Sequence, residues 1–151
     1  MKKTLLSIVA LLMALVCAIS FVACDNSAED TEAETLAKGE EIAAEGLWKD
    51  ATHRSDITVG KGEKTIKLDV VADGKQITVT LKTDKATLGE AMYAEGLIND
   101  ASFFNVLNGI EASWEKDQAY WAFYQGDTMM PYGVNDQKIN GGENFRFVYT
   151  K

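Results

Sequence analysis

One histidine and two cysteines limit the chemistry open to this chain of 151 residues. Cys17 and Cys24 both lie in the N-terminal stretch, outside the segment whose patterning predicts a fold. That segment therefore has neither a disulfide staple nor a thiolate metal site. His53 stands beside Arg54 in a polar stretch and reads as a surface residue; a single histidine excludes a histidine metal cluster. Serine–histidine catalysis would need His53 near a serine placed by an orienting carboxylate; Ser55-Asp56 is adjacent in sequence, but nothing resembles a nucleophile elbow. Asp117, Asp127, Asp136 and Glu143 are candidates for acid–base work. They sit on polar, turn-like segments, without the apolar setting that raises a carboxyl pKa. The glycines are scattered as turn residues, and none builds a phosphate loop ahead of a helix. The expectation is a non-enzyme with no resident metal or cofactor.

The residues with a sharper chemical use are aromatic and thioether. Asp117 to Gly126 reads DQAYWAFYQG, the densest aromatic run in the chain. On a strand, side chains alternate faces, so Tyr120, Ala122 and Tyr124 share one face while Trp121 and Phe123 share the other. Both faces want cover. Met129, Met130 and Tyr132 follow on a loop with Pro131. Methionine adapts to irregular ligands, and exposed apolar patches mark contact surfaces. Trp121, Phe123, Met129, Met130 and Tyr132 are therefore the candidate ligand-binding residues. The competing reading, in which Trp121 and Phe123 are core beneath a helix and the methionines merely close a loop, stays open at this point.

The formal charge of −8 repels nucleic-acid phosphates and excludes them as expected partners. At the amino terminus, Lys2 and Lys3 precede an apolar run from Leu5 to Ala23, the pattern of a secretory signal. The run is also about long enough to span a bilayer, so length does not separate a signal from an anchor. Phe21-Val22-Ala23-Cys24 separates them. It resembles the bacterial lipobox, in which the cut falls before a cysteine that receives a diacylglyceryl group; Phe21 departs from the usual Leu or Val. Cys17 follows Val16, too large for the position before the cut. The expected division is a lipoprotein signal peptide over 1–23, the lipidated Cys24 with an acidic tether over 24–46, and a folded domain over 47–151. Two acyl chains hold a protein at a membrane where one does not, so the expected location is extracytoplasmic, anchored to the cell membrane. The tether carries Lys38 as its single basic residue and no aromatics, so it reads as a flexible spacer, with a helix over Thr35 to Glu45 as the second possibility. It lacks the spaced Asp/Asn-Gly pattern of a calcium loop.

Further along, the elements that must position the aromatic residues emerge. Ile66, Leu68 and Val70 alternate with polar residues, as do Ile77, Val79 and Leu81, and Asp73-Gly74 between them is a preferred two-residue hairpin turn. With Ala72 opposite Lys75, all six apolar residues share one face. Thr87-Leu88-Gly89-Glu90 is a capping box opening a helix of about two turns, which Gly96 and Leu97 close. Trp48 is placed at the domain edge. Strands are expected over Phe103 to Leu107, over the aromatic run and over Phe145 to Tyr149, with a loop from Gln125 to Gly142. The order implies an α+β domain, a mixed sheet with one short helix packed across it.

These residues together resemble the transcobalamin C-terminal-like domain of unknown function found in Gram-positive surface proteins. The matching stretches are Leu47-Trp48-Lys49-Asp50-Ala51, Thr87-Leu88-Gly89-Glu90-Ala91, Val106-Leu107-Asn108-Gly109-Ile110, Tyr120-Trp121-Ala122-Phe123-Tyr124, Gly133-Val134, and Gly141-Gly142 before Phe145-Arg146-Phe147-Val148-Tyr149. The resemblance covers roughly residues 46–151. It implies a β-grasp-like fold and makes a corrinoid the first ligand candidate. In cobalamin carriers a separate helical domain grips the other side of the corrinoid, and this chain has none. Gln125-Gly126 and Gly142-Glu143 replace the family's usual Asn-Gly and Gly-Asp. Two functions are therefore expected as alternatives: capture of a small ligand by the aromatic/Met surface, or docking of a membrane transporter or other surface protein on that patch or on a sheet edge.

Overall fold

The computed structural model describes residues 34–35 and 39–151. The expected signal segment, Cys24 and most of the expected tether lie outside the described residues, as does the possible helix over 35–45 in its first part.

The frame is a hairpin. Strands β3 (Lys64–Ala72) and β4 (Lys75–Thr83) pair antiparallel with Val70 opposite Ile77, Leu68 opposite Val79 and Ile66 opposite Leu81. This is the register expected from the sequence. Asp73 and Gly74 take φ of 49° and 69°, the doubly positive pair that a tight turn needs to match strand twist. All six apolar residues are buried in one cluster.

Around the hairpin grows a mixed sheet. β1 (Glu34–Thr35) and β2 (Ile57–Gly60) both run parallel along the outer edge of β4. On the other side β9 (Asn144–Thr150) runs parallel to β3, β7 (Tyr120–Gln125) pairs antiparallel with β9, and β8 (Thr128–Met129) caps the far edge. β5 (Val106–Leu107) and β6 (Ile110–Glu111) form a separate small hairpin. Helix α1 (Leu88–Ala94) buries Leu88, Ala91 and Met92 in the same cluster as the β3–β4 side chains. Thr87 caps it, its hydroxyl accepting the Glu90 amide at 3.4 Å, and Gly96 follows with φ of 68°. The domain is α+β, mostly strand, as expected.

Four local expectations are corrected. Phe103 and Phe104 are not strand; β5 begins at Val106. The Asp100 carboxylate accepts the amides of Ser102 and Phe103 at 2.7 and 2.9 Å, and the Asn99 side chain accepts those of Asn105 and Val106. Side-chain turns of this kind compete with a strand ladder for the same backbone donors. The segment before the aromatic strand contains a one-turn helix α2 (Trp114–Asp117), capped by Ser113 and closed by Gln118 in the left-handed region, so the domain has more than one helix. The loop from Gln125 to Gly142 contains β8, because the chain doubles back at Gly126.

The fourth correction concerns the N-terminal boundary. Trp48 is not at the edge. It is 1% exposed, within the 3-10 helix Gly46–Asp50, and its indole N–H donates to the Ala72 carbonyl at 2.8 Å. Ile42, assigned to the flexible spacer, is 2% exposed in the core, and its amide donates to Arg54 at 2.7 Å. Residues 40–45 contain no helix.

Candidate functional site

β7 is set by β9. Trp121 pairs with Tyr149, Ala122 with Val148 and Phe123 with Phe147. Phe123 is 7% exposed; its ring stacks on Phe147 at 5.0 Å and tilts against Phe145 at 5.5 Å. Trp121, half-buried, meets Tyr149 edge to face at 5.5 Å. The core-facing side of β7 is therefore partly core, as the competing sequence reading held, but it is also a floor. A groove of about 200 Å³ lies over Trp121 and Phe123. Ser102, Phe103 and Phe104 form one wall, and Met129, Met130, Tyr132, Gly133 and Val134 the other. All five sequence candidates, Trp121, Phe123, Met129, Met130 and Tyr132, line it.

The walls are held by local chemistry. Phe104 packs edge to face on Phe147 at 6.0 Å, while Phe103 stands 86% exposed at the tip of the Asp100 turn. The Asp100 carboxyl sits below its usual range because the Phe103 and then the Ser102 amide donate to it. The turn is thus carried by an ionised carboxylate. On the other wall the Met130 amide donates to the Phe123 carbonyl at 2.8 Å, and the Tyr132 hydroxyl donates to the Gln137 side chain at 3.1 Å. Met129 and Tyr132 remain 51% and 44% exposed. The sequence reading missed Phe103 and Phe104 as lining residues because it placed them in a strand.

The residues weighed for catalysis are occupied or dispersed. Asn108, fully buried, clamps the His53 backbone: its carbonyl accepts the amide at 2.9 Å and its amide donates to the carbonyl at 2.7 Å. Asp56 accepts the Thr78 amide. Asp117, at the end of α2, and Asp127 and Asp136, on two separate turns, are all exposed. Glu143 accepts the amides of Asn140 and Gly141 at 2.6 and 2.7 Å. Partial burial pushes its carboxyl up, but those amides and Lys64 together hold it below the usual value. Among the described residues no three His, Cys, Asp or Glu side chains converge as a metal site, and no helix is long and apolar enough to cross a membrane.

Fold and groove together describe a small mixed-sheet domain carrying an apolar groove. Residues 82–151 match the family DUF4430, a domain of unknown function. Among solved structures, the chain is similar to a Ruminococcus gnavus protein provisionally described as metal-binding, at 21% identity and a TM-score of 0.54, covering 59% of this chain and 98% of that one. That likeness is one of fold. Haptocorrin in complex with Cbi matches at 16% identity and a TM-score of 0.41, over 58% of this chain and 25% of haptocorrin. No curated protein matches.

Proposed function

We propose that this chain is a lipid-anchored extracytoplasmic binding protein, without catalytic activity, whose β-grasp-like domain captures a ligand in the groove over Trp121 and Phe123. One observation carries the reading. Three of the six exposed large apolar side chains among the described residues, Phe103, Met129 and Tyr132, gather at this one groove. Scattered exposed apolar residues need no account, but a clustered patch around a concave site does. A drug-sized ligand is typically enclosed by about 300–1,000 Å³. At about 200 Å³ the groove grips one apolar edge of such a ligand. A corrinoid is the first ligand to try, on the strength of the sequence resemblance. Titrating the full chain with cobalamin, followed by tryptophan fluorescence and calorimetry, is expected to give saturable one-to-one binding that Trp121→Ala weakens. Flat titrations with corrinoids and with smaller apolar molecules would remove the ligand reading. The anchor is tested separately: Cys24→Ser is expected to abolish incorporation of labelled lipid, and continued labelling would refute it.

A second reading is favoured by the same small volume, which suits a single protein side chain, and by the sheet edge beside it. In that reading the groove docks a membrane transporter or another surface protein.

A further inference from the structure

β9 pairs with β7 along its whole length, Tyr120 to Gln125. On the opposite edge β8 pairs with Tyr124 and Gln125 alone. The Met130 amide then reaches the Phe123 carbonyl, and Pro131, which has no N–H to donate, ends the pairing. In an antiparallel ladder a residue's N–H and C=O point to the same side, and the side alternates along the strand. The Phe123 carbonyl points toward β8, so Phe123 and Trp121 address the outer edge while Tyr120, Ala122 and Tyr124 address β9. Among the described residues, no partner engages the Phe123 N–H or either backbone group of Trp121. The Trp121 indole N–H is also buried without a partner. Unmet strand-edge groups thus lie directly beside the apolar groove that Trp121 floors.

We propose that an extended segment of a partner protein adds antiparallel to β7 beyond the end of β8, the residue opposite Trp121 placing an apolar side chain in the groove. This rests on the second reading above and names its partner's chemistry. A residue paired with Trp121 exchanges backbone hydrogen bonds with it and, by the pleat, projects its side chain on the same face as the indole. One position thereby meets both the edge and the groove. Strand addition draws affinity from backbone bonds and specificity from such pockets. The charge of the surroundings selects the flanks. Asp100, Asp127 and Asp136 each lie two residues from a groove-lining residue. Between residues 98 and 137 the single basic side chain, Lys116, is held at 3.3 Å by Glu111. Arg146 lies over the Tyr124 ring, on the opposite face of the sheet, while Lys151, over the Tyr149 ring that meets Trp121, offsets one of the three carboxylates and leaves the surroundings net acidic. The segment that fits is an extended one with a central apolar residue and Lys or Arg on either side.

The test uses the full chain and three short synthetic peptides of alternating valine with a central phenylalanine: one flanked by lysines, one by glutamates, and one lysine-flanked but methylated on the central amide nitrogen. The lysine-flanked peptide is expected to bind and to slow hydrogen exchange at the Trp121 amide. Methylation removes a bond that a groove-only mode does not use, and is expected to weaken binding by about tenfold. Glutamate flanks are expected to weaken it at low salt, with the difference shrinking as salt is raised. Equal binding of the methylated peptide, unchanged exchange at Trp121, or no peptide binding at millimolar concentration would overturn strand addition. Indole serves as a probe of the groove alone. If indole shifts the NMR resonance of the Trp121 indole N–H while no peptide binds, strand addition fails and the groove stands; if neither binds, both fail.

Discussion

Among single residues, Asn108 shows how much of a fold one side chain can carry. Buried at φ of 52°, it replaces the strand partner that the His53 backbone lacks. Asn108→Ala removes both bonds and keeps the unfavourable φ. The loss expected is on the order of 2–4 kcal/mol, because two buried backbone groups are left unmet, and urea unfolding reads it. Nothing in the sequence marks Asn108 for this beyond its place in an Asn-Gly turn; the partner lies 55 positions away. Glu143 gives a pH signature. Its folded pKa lies below its ordinary 4.5, so the unfolded chain binds the proton first as pH falls. Its contribution is complete above about pH 4.5 and is lost as pH falls through the lowered folded value. Glu143→Gln is expected to flatten the acid limb of the stability curve, measured by thermal unfolding from neutral to acid pH.

Among the elements, the hairpin and the helix show which signals are local. Period-two patterning and Asp73-Gly74 specify the β3–β4 register within twenty residues, and Thr87 with Gly96 brackets α1. Every determinant sits inside the element, which is why both were legible. The turn at residues 99–106 was not, because Asn99 and Asp100 act on the backbone of a stretch whose own residues, Phe103 to Leu107, look like a strand. Its aromatic residues, destined for a groove wall, imitate a buried face. Gly89 tests how closely α1 is seated against this turn. In an exposed helix Gly→Ala stabilises by about 1 kcal/mol. Here an added Cβ would collide with the Ala101 carbonyl oxygen. Gly89→Ala is therefore expected to destabilise, by about 1–3 kcal/mol for overpacking, and to shift the Phe103 and Phe104 wall. Gly74→Ala is the control. Nothing lies within 4 Å of its Cβ, so its cost is confined to the positive φ, about 1 kcal/mol.

At the scale of the whole molecule, the question is where the cooperative unit begins. The five groove residues were legible together because they are close in sequence, from Trp121 to Tyr132; the folded boundary was not. An acidic run with one isoleucine has the composition of a spacer, and composition averages away the single residue that matters. Ile42 reaches the core at 2% exposure, its amide bonded to Arg54, whose guanidinium also pairs with Glu41. Five residues on, the Leu47 amide is taken by Asp73 at the hairpin turn, and Trp48 fills the core beneath. The stretch is thus stitched to the sheet at three points before β2 begins. A chain starting at residue 47 lacks the first of them. Burial of an isoleucine is worth about 1.5–3 kcal/mol, and the Ile42 amide bond adds about 0.5–1.5 kcal/mol; the exposed Arg54–Glu41 pair adds little. A chain of 47–151 is therefore expected to unfold about 2–4 kcal/mol more easily than one of 39–151. Ile42→Ala in the longer chain should reproduce most of the difference. Equal denaturant midpoints for 39–151 and 47–151 would return residues 39–46 to the spacer. If the midpoints differ, the groove is best titrated on chains that keep Ile42, since a shorter one tests a destabilised domain rather than the groove itself.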